Sequence, residues 1–105
     1  MLEVREKEYK LRFNINAIAD IEQKAGKGIG ALFSEENMGV NSIRLLLWGA
    51  IRHQEKGLTL DKAGMILDDF MEEGGTLESL MTDYIQPAME KCKFLQTGEG
   101  KSEGK

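Results

Sequence analysis

Residues Ile43-Arg-Leu-Leu-Leu-Trp-Gly-Ala-Ile-Arg-His53 decide the fold that the sequence predicts. This stretch holds the only Trp and the only His, and it contains the longest apolar run of the chain, Leu45 to Ile51. The spacing i, i+3, i+4, i+7, i+8 of an amphipathic helix is met by Ile43, Leu46, Leu47, Ala50 and Ile51. Leu45 and Trp48 lie off that face, which is typical of a helix packed on more than one side.

We therefore expect a central helix over residues 41–56, with the other elements packed against it. Asn41 or Ser42 can begin this helix as N-cap, because a short side-chain oxygen can accept a free first-turn N–H. Gly57 follows as a helix-ending Cʹ residue.

Composition predicts one globular domain. The 105 residues are 41% hydrophobic and 30% charged, with a net charge of −4. The negative charge disfavours nucleic-acid binding, which needs a concentrated basic surface. The single cysteine, Cys92, cannot form an internal disulfide and fits a reducing cytoplasm. The charged start lacks a signal-peptide core, and no run approaches the length of a membrane span. We expect a domain at residues 1–95 and a disordered polar tail at 96–105.

The N-terminal residues show the period-2 alternation of half-buried strands. Leu2 and Val4 alternate with charged residues, and the same holds for Tyr9, Leu11 and Phe13. The polar residues 5–8 between them favour a hairpin turn, and one long strand is the alternative. Since an isolated hairpin is marginal in water, it must lie on the helices or on another chain.

A first helix is predicted from an N-cap at Asn14 or Asn16 to about Ala25. Its inner face would consist of Ile15, Ile18, Ile21 and Ala25. A glycine-rich loop with a short helical turn at 30–34 would then bury Ile29, Leu32 and Phe33. Residues 34–40 are predicted as a polar linker.

Two further helices complete the predicted fold. The third begins at N-cap Thr59 and runs to about Glu73, and its inner face is predicted as Ala63, Ile66, Leu67, Phe70 and Met71. The fourth begins at N-cap Thr76, and its apolar stripe is Leu77, Leu80, Met81, Tyr84, Ile85, Ala88, Met89 and Cys92. Pro87 predicts a kink or break near 83–86. The fold class is mainly α, a compact four-helix domain with an N-terminal β-strand or hairpin.

No catalytic, cofactor-binding or metal-binding residue is predicted. Residues 98–102 resemble the end of a phosphate-binding loop, but Leu95 stands where the pattern needs glycine. The glycines at 26–30 follow a helix, whereas a dinucleotide fingerprint follows a strand. His53 has no second ligand and is expected to interact with the helix dipole or solvent. Cys92 is expected to be a small buried hydrophobe. We therefore expect a protein that is not an enzyme.

Two surface features leave alternatives open. The acidic cluster Asp68, Asp69, Glu72 and Glu73 is either a solvated face or a contact surface for a basic partner. The methionines of the last two helices fill the core or form an adaptable interface, and they are Met65, Met71, Met81 and Met89.

Residues 56–59 join two helices in a way that could suggest a helix-turn-helix. The helix that would enter the DNA groove, residues 60–69, carries a net negative charge and would repel phosphates.

Four segments together resemble a known family. They are the strand-to-helix entry Tyr9-Lys-Leu-Arg-Phe-Asn-Ile-Asn-Ala-Ile18 with its continuation Ile21-Glu22, the glycine-rich Gly28-Ile-Gly-Ala-Leu-Phe33, the helix Leu46-Leu-Trp-Gly-Ala-Ile-Arg-His53 and the helix start Leu58-Thr-Leu-Asp-Lys-Ala-Gly-Met65. In this order they look like the tail assembly chaperones of long-tailed bacteriophages and the small tail proteins of gene-transfer agents. The resemblance covers roughly residues 8–90.

This resemblance implies a non-enzymatic role without cofactors. Tail assembly chaperones coat the tape-measure protein and help tail tube subunits to polymerise around it, so tape-measure and tail tube proteins are the implied partners. The protein would act in the bacterial host cytoplasm during phage assembly, with a possible homo-oligomer. The alternatives are a minor tail or head–tail connector component, or a small helical nucleic-acid-binding regulator.

Overall fold

The computed structural model describes residues 2–32 and 39–92, which form a mainly helical domain with an N-terminal antiparallel hairpin. The hairpin strands are β1 (Leu2–Val4) and β2 (Lys7–Tyr9). The helices that follow are α1 (Ile15–Ala25), α2 (Ile29–Leu32), α3 (Val40–Ile51) and α4 (Leu60–Glu72). An uninterrupted helical run then consists of α5 (Leu77–Leu80), a π-helical segment (Met81–Ile85) and α6 (Gln86–Glu90). The predicted fold class is confirmed.

Helix α3 is the central helix that the sequence predicts. Ile43 and every residue from Leu45 to Ile51 are buried. Helices α1 and α4 and the π-helical segment all pack against it. Gly49 permits the approach of α1, since a Cβ at this position would lie 2.3 Å from Cδ1 of Ile21.

The predicted bounds of the central helix are wrong at both ends. Its N-cap is the extended Gly39, so Asn41 and Ser42 lie inside the first turn rather than capping it. It ends at Ile51 instead of residue 56, because the Ile51 carbonyl accepts the N–H groups of Gln54 and Glu55 and the chain tightens into turns. Gly57, at φ 79°, belongs to a later turn.

The N-terminal segment forms the hairpin rather than one long strand. Leu2 pairs with Tyr9 and Val4 with Lys7. The turn consists of Arg5 and Glu6 alone, both with positive φ (52° and 66°), as a two-residue type I′ turn requires. The predicted turn over residues 5–8 was therefore too long.

The second strand is also shorter than predicted, because residues 10–14 leave the ladder. The N–H of Arg12 instead donates to the carbonyl of Ala50 at 2.9 Å. Phe13 is buried and Leu11 half-buried, so both still contribute to the core.

Helix α1 begins where predicted. Asn14 is its N-cap, and the side-chain oxygen accepts the Ala17 N–H at 2.8 Å. The inner face is Ala17, Ile18 and Ile21, whereas Ile15 is 58% exposed, so its predicted burial is wrong. At about 100° per residue, Ile15 lies roughly 120° around the helix from Ile21, whereas Ala17 is one turn before Ile21 on the same face.

The glycine-rich loop after α1 leads into α2. Ile29 and Leu32 are buried as predicted, within a helical turn at 29–32 rather than 30–34. The Glu22 carboxylate accepts the Ile29 N–H at 2.7 Å and so caps this turn. The predicted burial of Phe33 and most of the predicted linker at 34–40 lie outside the described residues.

Side-chain caps begin α4 and the C-terminal helical run. Thr59 accepts the Lys62 N–H at 3.1 Å, and Thr76 forms a reciprocal capping box with Ser79. Within α4, Ala63, Leu67 and Phe70 are buried and Ile66 is half-buried. Met71 is 44% exposed, which corrects its predicted place on the inner face.

The predicted kink before Pro87 takes the form of the π-helical segment. The N–H of Gln86 bonds to the carbonyl of Met81, five residues back. Proline lacks an N–H, so a wider turn before it is an expected adjustment. Every member of the predicted apolar stripe is buried or half-buried.

Residues 93–105, which include the predicted tail at 96–105 and the loop-like residues 98–102, lie outside the described part of the chain. Within residues 2–32 and 39–92, no helix has the length and apolarity needed to cross a membrane.

Candidate interaction surface on helix α4

The solvent side of α4 combines methionines with carboxylates. Its exposed residues include Asp61, Met65, Asp68, Met71 and Glu72, which we call the α4 outer face. Asp61, Met65, Asp68 and Glu72 recur at intervals of three or four and so lie along one stripe, with Met71 at its border. This stripe is opposite the buried face of α4.

The four methionines of the last two helices differ in burial. Met81 and Met89 are buried at 8% and 6% exposure and fill the core. Met65 and Met71 are 64% and 44% exposed. Because methionine is unbranched and polarizable, it adapts to irregular apolar partners, and an exposed pair on one helix is suited to an interface.

One end of the acidic cluster is bound by the hairpin turn. The Arg5 guanidinium lies 3.2 Å from a carboxylate oxygen of Asp69 and 2.6 Å from one of Glu72. The Arg5 backbone N–H donates to the Glu73 carboxylate at 3.0 Å. The hydrogen bond and charge of Asp69, followed by those of Glu72, raise the pKa of Arg5. These contacts fix the strained turn at the C-terminal end of α4, where a cation is also favoured by the helix dipole.

The other end of the α4 outer face keeps its negative charge. Neither Asp61 nor Asp68 makes an ion pair with a residue in the described part of the chain. The described carboxylates, histidine and cysteine form no group of three that could hold a metal ion. The α4 outer face thus offers apolar contact at Met65 beside uncompensated carboxylates.

His53 and Cys92 take structural positions. Nε2 of His53 lies 2.7 Å from the carbonyl oxygen of Lys10 and so holds the segment after β2 to the end of α3. Cys92 is buried as a free thiol, which confirms its predicted burial. The sequence predicts contact of His53 with the helix dipole or solvent and does not anticipate its contact with Lys10.

Sequence reasoning missed the cations around Trp48. The ring centroid lies 5.2 Å from Nζ of Lys24 and 4.8 Å from Cζ of Arg52, both in cation–π range. Arg52 also pairs with Asp20, and the indole N–H donates to the Leu58 carbonyl at 3.0 Å. Four positions separate Trp48 from Arg52, a helical spacing that could have indicated this contact.

Comparisons of the chain with protein-family models, with curated proteins and with solved structures find no match.

Proposed function

We propose that this protein is a non-enzymatic, tail-assembly-chaperone-like protein that binds the tape-measure protein, the tail tube protein or both during tail morphogenesis. It would act in the cytoplasm of the bacterial host. Two lines of reasoning support the proposal: the resemblance over residues 8–90 and the α4 outer face. The single observation that carries it is the exposure of Met65 and Met71 beside the carboxylates of α4.

The chemistry of the α4 outer face specifies its partner. An amphipathic helix docks by placing its apolar side chains against an apolar strip of the partner. Its charged side chains favour the orientation in which they face opposite charges. Exposed methionines beside Asp61 and Asp68 therefore select a helix that carries apolar residues together with Lys or Arg. A long helical tape-measure protein can present such segments repeatedly.

The size of the surface argues for many copies on one partner. Complete burial of a methionine side chain is worth about 1.5–3 kcal/mol, and these two side chains are already partly covered. Such a gain is partly offset by the rotational and translational freedom lost on binding, so one copy would bind weakly. Copies that also contact one another along one long chain would bind it more tightly, because each bound copy raises the effective concentration of its neighbour.

Co-expression tests the proposal. The full chain is purified with the tape-measure protein encoded near it, and the mass of the complex is measured by light scattering. A stable complex with several copies per tape-measure chain is expected. A protein that is strictly monomeric, both alone and with the tape-measure protein, refutes the proposal. An unrelated coiled coil of similar length is the matched negative control.

Two simple assays distinguish the other candidate functions from a chaperone. A minor tail or connector component is retained in purified particles, whereas a chaperone is absent from them. A nucleic-acid-binding regulator shifts duplex DNA at low salt, and the shift weakens as salt rises. The acidic exposed residues of α4 give no support to DNA binding by this helix.

A further inference from the structure

We infer that Met65 and Met71 are oxidation sites, and that their conversion to methionine sulfoxide by a hydroperoxide weakens docking at the α4 outer face. The two side chains are 64% and 44% exposed and belong to the same helix. The effect on docking rests on the proposed function, whereas the choice of these two methionines rests on the fold alone.

The modification transfers one oxygen atom to a thioether sulfur. With hydrogen peroxide as the hydroperoxide, the sulfur attacks one peroxide oxygen and the O–O bond breaks. The proton of the transferred hydroxyl goes to the departing hydroxide, which leaves as water. The sulfur is oxidised by two electrons and the peroxide is reduced by two, so the products are a sulfoxide and water. The protein has to supply only a sulfur that the peroxide can reach.

The core protects the methionines of the C-terminal helical run. Met81 and Met89 are 8% and 6% exposed and belong to the cluster of buried side chains. A peroxide reaches them only when this part of the domain opens, so their oxidation should be slower than that of the methionines on α4. The fold thus separates a reactive pair from a protected pair. The other two methionines, Met1 and Met38, lie outside the described residues.

Oxidation changes the chemistry of the α4 outer face. The thioether of methionine is apolar and flexible, whereas the sulfoxide is polar and carries a hydrogen-bond acceptor. Asp61 and Asp68 lie four positions before Met65 and three positions after it. Their carboxylates are acceptors as well, so they cannot bond to the new oxygen. Placing this oxygen against an apolar strip of the partner leaves it without a donor, which opposes docking.

The fold itself should survive the modification. The buried residues of α4 are Ala63, Leu67 and Phe70, none of which contains sulfur. Neither Met65 nor Met71 belongs to the core cluster or to the side chains packed against it. Oxidation of these two residues should therefore leave Tm nearly unchanged, and this separates a loss of docking from unfolding.

The test treats the full chain with hydrogen peroxide and follows each methionine by mass spectrometry of its peptide. Met65 and Met71 should each be oxidised about tenfold or more faster than Met81 and Met89. The peroxide is then removed, and binding to the tape-measure protein is measured by light scattering. Oxidation should raise the apparent dissociation constant by about fivefold or more. Thermal unfolding of the same sample should show an unchanged Tm.

Met65→Leu combined with Met71→Leu is the matched control. This double variant keeps Cys92 and the other four methionines, so it reports any effect of peroxide at those residues. Treated double variant should bind the tape-measure protein as its own untreated sample does. If peroxide weakens its binding as much as that of the parent, another residue is responsible and the inference is overturned.

Three further results overturn the inference: oxidation of Met81 or Met89 as fast as that of Met65, equal binding of the parent before and after oxidation, or weaker binding that comes with a lower Tm. Failure of the proposed function looks different, because the untreated parent then binds no tape-measure protein. In that case the effect on docking fails with it, and the oxidation rates still decide whether Met65 and Met71 are the modification sites.

Discussion

The carboxamide of Gln54 closes the outer edge of β2 at Lys10. Its Oε1 accepts the Lys10 N–H and its Nε2 donates to the Glu8 carbonyl, both at 2.8 Å. A third strand would make these same two hydrogen bonds. With His53 on the Lys10 carbonyl, the turn after α3 holds the hairpin to the central helix. This explains how a hairpin of two three-residue strands is stable in so small a domain.

Gln54→Ala should loosen the hairpin. The two lost hydrogen bonds are exposed, so we expect a loss of about 1 kcal/mol in the free energy of unfolding. Hydrogen exchange of the Lys10 amide should become faster, because its acceptor is gone. Gln23→Ala, which removes an exposed glutamine from α1, is the matched control. Unchanged protection of the Lys10 amide would refute the role assigned to Gln54.

Gly49→Ala should destabilise the contact between α1 and α3. The added methyl would lie 2.3 Å and 2.7 Å from two carbon atoms of Ile21, a fully buried side chain. Overpacking of this kind costs about 1–3 kcal/mol, measurable by urea unfolding. Gly30→Ala is the control, since among the described residues no atom beyond its own helical turn and chain neighbours lies within 4 Å of its Cβ position. Equal stability of the two variants would contradict the packing described for Gly49.

Lys7 should give the stability a small alkaline pH dependence. Its ammonium lies 2.8 Å from a Glu55 carboxylate oxygen, and this hydrogen bond raises the pKa of Lys7 above the ordinary 10.5. Because the pKa of Lys7 is higher in the folded state, its ion pair contributes fully to stability below pH 10.5. This contribution is lost as the pH rises through the folded-state pKa. The difference in Tm between the parent and Lys7→Gln should therefore be constant near neutral pH and vanish at high pH. A difference that persists above that pKa would contradict this assignment.

Thr76→Ala should destabilise the C-terminal helical run. The substitution removes the acceptor of the Ser79 N–H, which is bound at 3.0 Å. Loss of a threonine N-cap costs about 1 kcal/mol, measured as a shift in the urea midpoint. Thr82→Ala removes an exposed threonine of the π-helical segment and should be nearly neutral. Equal shifts of the urea midpoint in both variants would contradict a stabilising role of the capping box.

Features set by neighbouring residues were predictable from the sequence. Asn14, Thr59 and Thr76 begin their helices as expected, because a cap depends on residues only three positions away. The apolar stripe from Leu77 to Cys92 is likewise a local pattern, and its burial is confirmed. The wider turn before Pro87 follows from the missing N–H of proline.

Features set by distant residues were not predictable. Arg5 reaches Asp69 across 64 positions, and Gln54 reaches Lys10 across 44, so no local pattern reports them. The α4 outer face was partly foreseen: its carboxylates were recognised, whereas the exposure of Met71 depends on how α4 is rotated against the core.

The most direct test of the central claim compares two surface variants in the tape-measure complex. Met65→Lys combined with Met71→Lys removes the apolar contacts and places positive charge against a basic partner, at exposed positions where the fold should be kept, so the number of bound copies should fall sharply. Ile15→Lys is the matched control, since Ile15 is 58% exposed but lies on α1. The account predicts loss of copies, by light scattering, only in the double variant. Equal occupancy in the double variant and the parent would contradict it.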